Sequence, residues 1–133
     1  MQFKHANLAT PDVSATAEFF RRFFGFEIVD RRGEGLAVMR DRDNFVLTLM
    51  KRKKGDPDRY PQMFHIGFYV ESPELVNAKH AELAAADLSP GEVEVTNRQG
   101  AVTTFYCTCP GGIMVEVCTP PSFATDKTLA MTE

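Results

Sequence analysis

The sequence predicts an α+β fold in which one βαβββ unit occurs twice, the two copies forming a cupped mixed sheet. Three observations carry this. Two apolar segments, residues 3–9 and 63–70, each hold a histidine and each run directly into a capped, proline-marked helix start. Each helix stretch is followed by three short strand-like runs. Turn chemistry separates those runs, and a polar linker with two prolines, residues 53–61, separates the copies.

The first copy, residues 1–52, opens with a strand over 3–9. Thr10-Pro11-Asp12 supplies a capping side chain and a proline able to occupy the first helical turn. Val13, Ala17, Phe20 and Phe24 recur at helical spacing and predict the inward stripe. Gly25 ends the helix, being free to take positive φ. Strands follow over 27–31, 35–40 and 45–50, parted by Arg32-Gly33-Glu34 and Asp41-Arg42-Asp43-Asn44.

The second copy, residues 62–118, repeats the plan. A strand over 63–70 leads to Ser72-Pro73, a cap before a proline at the first helical position. The helix is expected to reach about residue 87, with Leu75, Val76 and Leu83 facing inward, until Ser89-Pro90-Gly91 breaks it. Strands are expected over 93–97, 102–109 and 113–118. The tail, 119–133, starts with Pro120-Pro121 and cannot extend the sheet as a central strand. It is expected either to pack on a neighbour or to be mobile. Residues 1–118 are expected to form a single domain.

A net charge of −3 disfavours a nucleic-acid partner, and Lys51-Arg52-Lys53-Lys54 runs into Gly55-Asp56-Pro57-Asp58 as a solvated loop. No apolar run reaches the ~18 residues that cross a bilayer, so no membrane partner is expected. The start lacks the layout of a secretory signal, and three cysteines, Cys107, Cys109 and Cys118, form no metal-binding spacing. Both features predict a cytoplasmic protein whose thiols serve as packing groups.

The chemistry lies in three ionisable residues placed in apolar strands: His5, His65 and Glu116. Such groups must be hydrogen-bonded, exposed to a cleft, or bound to a metal. Aligning the copies superimposes His5 on His65, and residues 44–49 on 112–117, so Thr48 stands where Glu116 does. Side chains alternate along strands, so Phe3, His5 and Asn7 share a face, as do Met63, His65 and Gly67, and Met114, Glu116 and Cys118. If those faces line the cup, the three residues converge. Taken singly, either histidine also reads as a structural residue bonded to backbone or carboxylate. His80, beside Val76 and Leu83, reads as structural or exposed.

The layout over residues 3–118 resembles the vicinal oxygen chelate superfamily, which includes glyoxalase I, extradiol dioxygenases, fosfomycin-resistance enzymes and bleomycin-resistance proteins. Phe23-Phe24-Gly25-Phe26 is similar to its aromatic-Gly-aromatic helix end, and residues 105–116 to its closing hairpin. Where the family has Asp-Pro-Asp-Gly, this chain has Cys109-Pro110-Gly111-Gly112. The resemblance implies metal ligands at His5, His65 and Glu116. The fourth family position falls on Thr48, a poor ligand.

Two imidazoles and one carboxylate leave open positions suited to Fe2+ or Mn2+ and a substrate with two neighbouring oxygens, with Zn2+ or Ni2+ as further options. The implied reaction is of lyase, isomerase, transferase or ring-cleavage dioxygenase type. Tyr106 would orient or protonate the substrate as the catalytic residue, while Asn7, Thr48 and Phe105 would bind it. Two-unit members of the family commonly pair as homodimers, so His5 of one chain would join His65 and Glu116 of the other. The competing expectation is a metal-free binding protein of bleomycin-resistance type, its ligand held by Phe68, Tyr69 and Phe105. Beyond Glu116, Lys127 is the only cation.

Overall fold

In the computed structural model, which describes residues 1–125, the chain forms two compact units. One comprises Met1–Met63 with Cys109–Ile113, the other Phe64–Thr108 with the chain from Met114 onward. Each is a four-stranded mixed sheet with one helix.

The first unit runs β1 (His5–Thr10), α1 (Val13–Phe24), β2 (Glu27–Arg32), β3 (Leu36–Arg40) and β4 (Val46–Lys51). The sheet order is β1-β4-β3-β2, with β1 parallel to β4 and the other pairs antiparallel. Alternation explains its core. Leu8, Ala37, Met39, Leu47 and Leu49 are buried on one face, and α1 packs against β2, β3 and β4. Each buried leucine or phenylalanine contributes on the order of 2 kcal/mol.

Asp12 is the N-cap of α1; its carboxylate accepts from the Ala15 N–H at 3.0 Å. Pro11 therefore precedes the cap instead of occupying the first turn. The buried arc is Val13, Thr16, Ala17, Phe19, Phe20 and Phe23, while Phe24 is half-buried. It is rotated from the expected stripe because Thr16 turns inward, its hydroxyl lying 2.7 Å from both Asp12 O and Pro110 O, either of which can accept its one proton. Gly25 ends the helix at φ 71 as expected.

The segment Cys109–Ile113 belongs to this first unit. Pro110 and Gly111 occupy the middle of a tight turn in which Gly112 N–H donates to Cys109 O at 3.0 Å. Gly111, at φ +102, lies against the side chains of Thr10 and Thr16.

The second unit runs β5 (Ile66–Tyr69), α2 (Pro73–Ala85), β6 (Glu94–Asn97), β7 (Ala101–Thr108) and β8 (Met114–Cys118), in sheet order β5-β8-β7-β6. Again the outer pair β5 and β8 is parallel. Ser72 caps α2 with Pro73 in the first turn, and the helix packs on β7 and β8 through buried Val76 and Leu83. Leu75 is exposed, contrary to expectation, because it lies about 100° around the helix from Val76. The helix stops at Ala85, before Asp87 takes φ 60. His80 is structural, with Nε2 3.0 Å from Gly91 O and its ring edge-on to Phe105.

The tail is tied down at its start. Thr119 N–H donates to Thr103 O, Thr119 Oγ1 accepts from Thr103 N–H, and a short 3-10 turn, Ser122–Thr125, bonds back to Gln99 O. The remainder of the tail, 126–133 with Lys127, lies outside the described residues. Cys107, Cys109 and Cys118 are unbridged and buried, in keeping with packing roles. No described helix is long and apolar enough to cross a membrane.

Candidate functional site

The second unit carries a polar cluster around Glu116. Strand register sets it up: Glu116 on β8 pairs with Gly67 on β5 and with Tyr106 on β7. His65, two residues before Gly67, shares that face by alternation, as does Thr104, two residues before Tyr106. His65 Nε2 stands 3.3 Å from Glu116 Oε1. The other carboxylate oxygen, Oε2, accepts from Thr104 Oγ1 at 2.5 Å and from Arg98 Nη1 at 2.9 Å. Arg98 Nη2 also donates to the Tyr106 hydroxyl at 3.3 Å, and the Tyr106 ring meets the His65 ring edge to face.

The carboxylate is buried, with 7% of its side chain exposed, whereas Arg98 is 43% exposed. Burial pushes the Glu116 carboxyl pKa up. Hydrogen bonds from Thr104 and Arg98, the positive charge of Arg98 and the Tyr106 hydroxyl outweigh it, so the pKa lies below the ordinary carboxylate value. Glu116 is therefore ionised at neutral pH. Cys118, on the same face, is held as a thiol: burial and the Glu116 charge push its pKa up to about 11.

A group with a depressed folded-state pKa contributes stability that is present above its unfolded pKa, about 4.3, and lost as pH falls through the folded value. Glu116→Gln mimics the protonated form. Thermal melts of the parent and this variant should differ most near neutrality and converge under acid; a gap that widens on acidification would refute the paired, ionised carboxylate.

The first unit repeats this arrangement with a weaker donor. Asn7 on β1 pairs with Thr48 on β4, as Gly67 pairs with Glu116. His5, two residues before Asn7, has Nε2 3.2 Å from Thr48 Oγ1. Within each unit, then, a histidine at the mouth of the first strand meets the fourth strand's residue two positions on. The predicted equivalence of His5 with His65, and of Thr48 with Glu116, is a matter of register. His5 and Asn7 are exposed and Thr48 is half-buried.

Of the expected site residues, the fold joins His65, Glu116 and Tyr106 in one cluster, and His5, Asn7 and Thr48 on one sheet face. Phe105 is a correction. Its neighbour Tyr106 pairs with Glu116, so alternation turns Phe105 to the helix-covered face, where it is 1% exposed and packs on His80. Phe68, paired with buried Val117, faces the same way. Tyr69 lies on the opposite, exposed face. Arg98 and Thr104 were not foreseen. Among the described residues no three His, Cys, Asp or Glu side chains come together.

The donor chemistry fits a divalent ion. His65 Nε2 and Glu116 Oε1, 3.3 Å apart, are the imidazole nitrogen and carboxylate oxygen that would hold it. Thr104 and Arg98 fix the carboxylate through its other oxygen, as groups behind a ligand do.

The family model for the Glyoxalase/Bleomycin resistance protein/Dioxygenase superfamily matches residues 2–117. Among solved structures, a possible glyoxalase from Bacillus cereus is 41% identical, with a TM-score of 0.72 over 88% of this chain and 97% of its own. A lactoylglutathione lyase from Agrobacterium tumefaciens is 20% identical at TM-score 0.71, over 89% of this chain and 92% of its own. A mutant of the fosfomycin resistance protein FosX from Listeria monocytogenes, complexed with Mn(II) and 1S,2S-dihydroxypropylphosphonic acid, is 18% identical at TM-score 0.72, over 87% of each chain. These last two likenesses establish shared fold. No curated protein matches.

Proposed function

Because the chain belongs to the Glyoxalase/Bleomycin resistance protein/Dioxygenase superfamily, we propose that it is a divalent-metal-dependent enzyme acting on a small substrate with two neighbouring oxygens. The observation that carries this reading is the His65–Glu116 pair, an imidazole nitrogen and an ionised carboxylate oxygen 3.3 Å apart at the register position that His5 and Thr48 occupy in the other unit. His65, Glu116 and His5 are the ligands, and Mn2+ or Fe2+ suits that set best. The ion when bound supplies Lewis acidity to the substrate's two oxygens.

The chain's own residues do the rest. Thr104 and Arg98 hold Glu116 in one orientation, so the ligand is preorganised. Tyr106, kept beside Arg98, orients the substrate and gives or takes a proton at its hydroxyl. Asn7 and Thr48 hydrogen-bond the ligand. Two chains form a homodimer, and His5 of one completes the site of the other. Three unbridged thiols suit a reducing cytoplasm.

One observation favours a second reading, a metal-free binding module: Glu116 is already charge-paired with Arg98. Thermal melts of chelator-stripped protein separate the two. Mn2+ at a hundred times its Kd should stabilise the parent by about 2.7 kcal/mol and leave His65→Ala unmoved. No metal-dependent shift in the parent, with His65→Ala folding normally, would favour the binding module.

A further inference from the structure

The two oxygens of the Glu116 carboxylate stand in different surroundings. Oε2 is enclosed: the Thr104 hydroxyl donates to it at 2.5 Å and Arg98 Nη1 at 2.9 Å. A carboxylate oxygen offers about two lone-pair directions, so both of those on Oε2 are engaged. Oε1 is turned to the His65 imidazole, 3.3 Å from Nε2. Burial decides the relative weight of the two donors at Oε2. Thr104 is 1% exposed, against a carboxylate side chain 7% exposed, so no water replaces its hydroxyl once that is removed. Arg98 is 43% exposed, and water can take its place at Oε2. Register keeps Thr104 where it is. It pairs with Cys118, and Tyr106, two residues on, pairs with Glu116, so Thr104 lies one diagonal step from Glu116 on the same face.

We infer that Thr104 is a positioning residue that limits Glu116 to one ligating oxygen, Oε1, and thereby favours Mn2+ or Fe2+ over Ca2+. This rests on the metal-dependent reading above and names the residue that sets its ion preference. To ligate through both oxygens, Glu116 would have to turn Oε2 away from Thr104. That breaks a buried hydrogen bond and leaves the Thr104 hydroxyl without an acceptor in the strand interior. Ca2+ takes about six to eight oxygens and commonly draws two of them from one carboxylate. Two imidazoles and one carboxylate oxygen suit Mn2+ or Fe2+ with no second oxygen from Glu116. Nitrogen ligation already favours those ions over Ca2+, so the share of Thr104 is the change from the parent with the histidines intact.

The test is titration of the chelator-stripped full chain with Mn2+, and with Ca2+ in competition, in the parent, Thr104→Val, Thr104→Ser and Arg98→Gln. Thr104→Val keeps the β-branched shape and removes the donor; it should narrow the preference for Mn2+ over Ca2+ by about tenfold. Thr104→Ser restores a hydroxyl and should return most of that preference. Arg98→Gln should narrow it less than Thr104→Val does. A second readout is the infrared difference spectrum, Mn2+-loaded minus metal-free, of protein carrying 13C in its glutamate carboxyls, with Glu116→Gln identifying the Glu116 bands. The parent should show the wide separation of carboxylate stretches that one-oxygen ligation gives. Two-oxygen ligation in the parent, or no gain of Ca2+ relative to Mn2+ in a folded Thr104→Val, would overturn the role of Thr104 and leave the metal centre standing. A parent that takes up no Mn2+ would overturn both. Melting curves check that each variant is folded; should Thr104→Val not fold, the parent spectrum decides.

Discussion

Gly111→Ala is expected to destabilise the protein by about 3 kcal/mol, combining ~1–2 kcal/mol of left-handed backbone strain with ~1–3 kcal/mol of overpacking. The residue sits at φ +102, and a Cβ there would lie 2.5 Å from Thr16 Oγ1 and closer still to Thr10 Oγ1. Those hydroxyls cannot simply withdraw. They bond to one another at 2.8 Å, and the Thr16 hydroxyl is also within 2.7 Å of Asp12 O and Pro110 O, one of which takes its proton. Gly112→Ala is the internal control, because its φ is +86 but nothing lies within 4 Å of the added methyl. It should lose only the strain, about 1 kcal/mol. Urea titration of both variants measures the difference; equal losses would mean that the threonine pair yields freely and that the turn is not tightly seated.

Mixing two inactive variants should restore metal binding. If His5 of one chain completes the site of another, His5→Ala and His65→Ala homodimers each lack a ligand in both sites. A heterodimer of the two concentrates both losses in one site and leaves the other with His5, His65 and Glu116 intact. After subunit exchange, statistical pairing should return about a quarter of the parent's Mn2+ capacity, read by equilibrium dialysis. Sites confined to one chain would return nothing on mixing, as would a monomer by sedimentation.

The strands and helices were largely legible in the sequence because their signals are local. Gly25 and Ser72-Pro73 are caps, and apolar alternation marks the buried faces. Register was legible too, since the spacing of His5 to Asn7 and His65 to Gly67 fixes which residues share a face once the parallel pairs form. What escaped depends on the direction of single side chains. Phe105 and Tyr106 are adjacent aromatics, and only the pairing of Tyr106 with Glu116 decides which one faces the site. Thr16 lies outside the apolar stripe of Val13, Ala17, Phe20 and Phe24, yet its hydrogen bonds turn it inward and rotate the buried face.

Arg98 was the costliest omission. It lies in a polar hairpin turn between Asn97 and Gly100, where composition reads as solvated loop. Its reach to Glu116, eighteen residues on, exists only because β6, β7 and β8 fold back on one another. A charged turn residue beside a strand carrying a buried carboxylate is the one hint available beforehand.

A cation bridging the His65 imidazole and the Glu116 carboxylate is tested most directly by elemental analysis of protein purified without chelators. About one divalent ion per chain is predicted, falling to background in both His65→Ala and Glu116→Gln while each still melts cooperatively. Metal-free parent protein that also fails to take up Mn2+ or Fe2+, or full occupancy persisting in both variants, would contradict it.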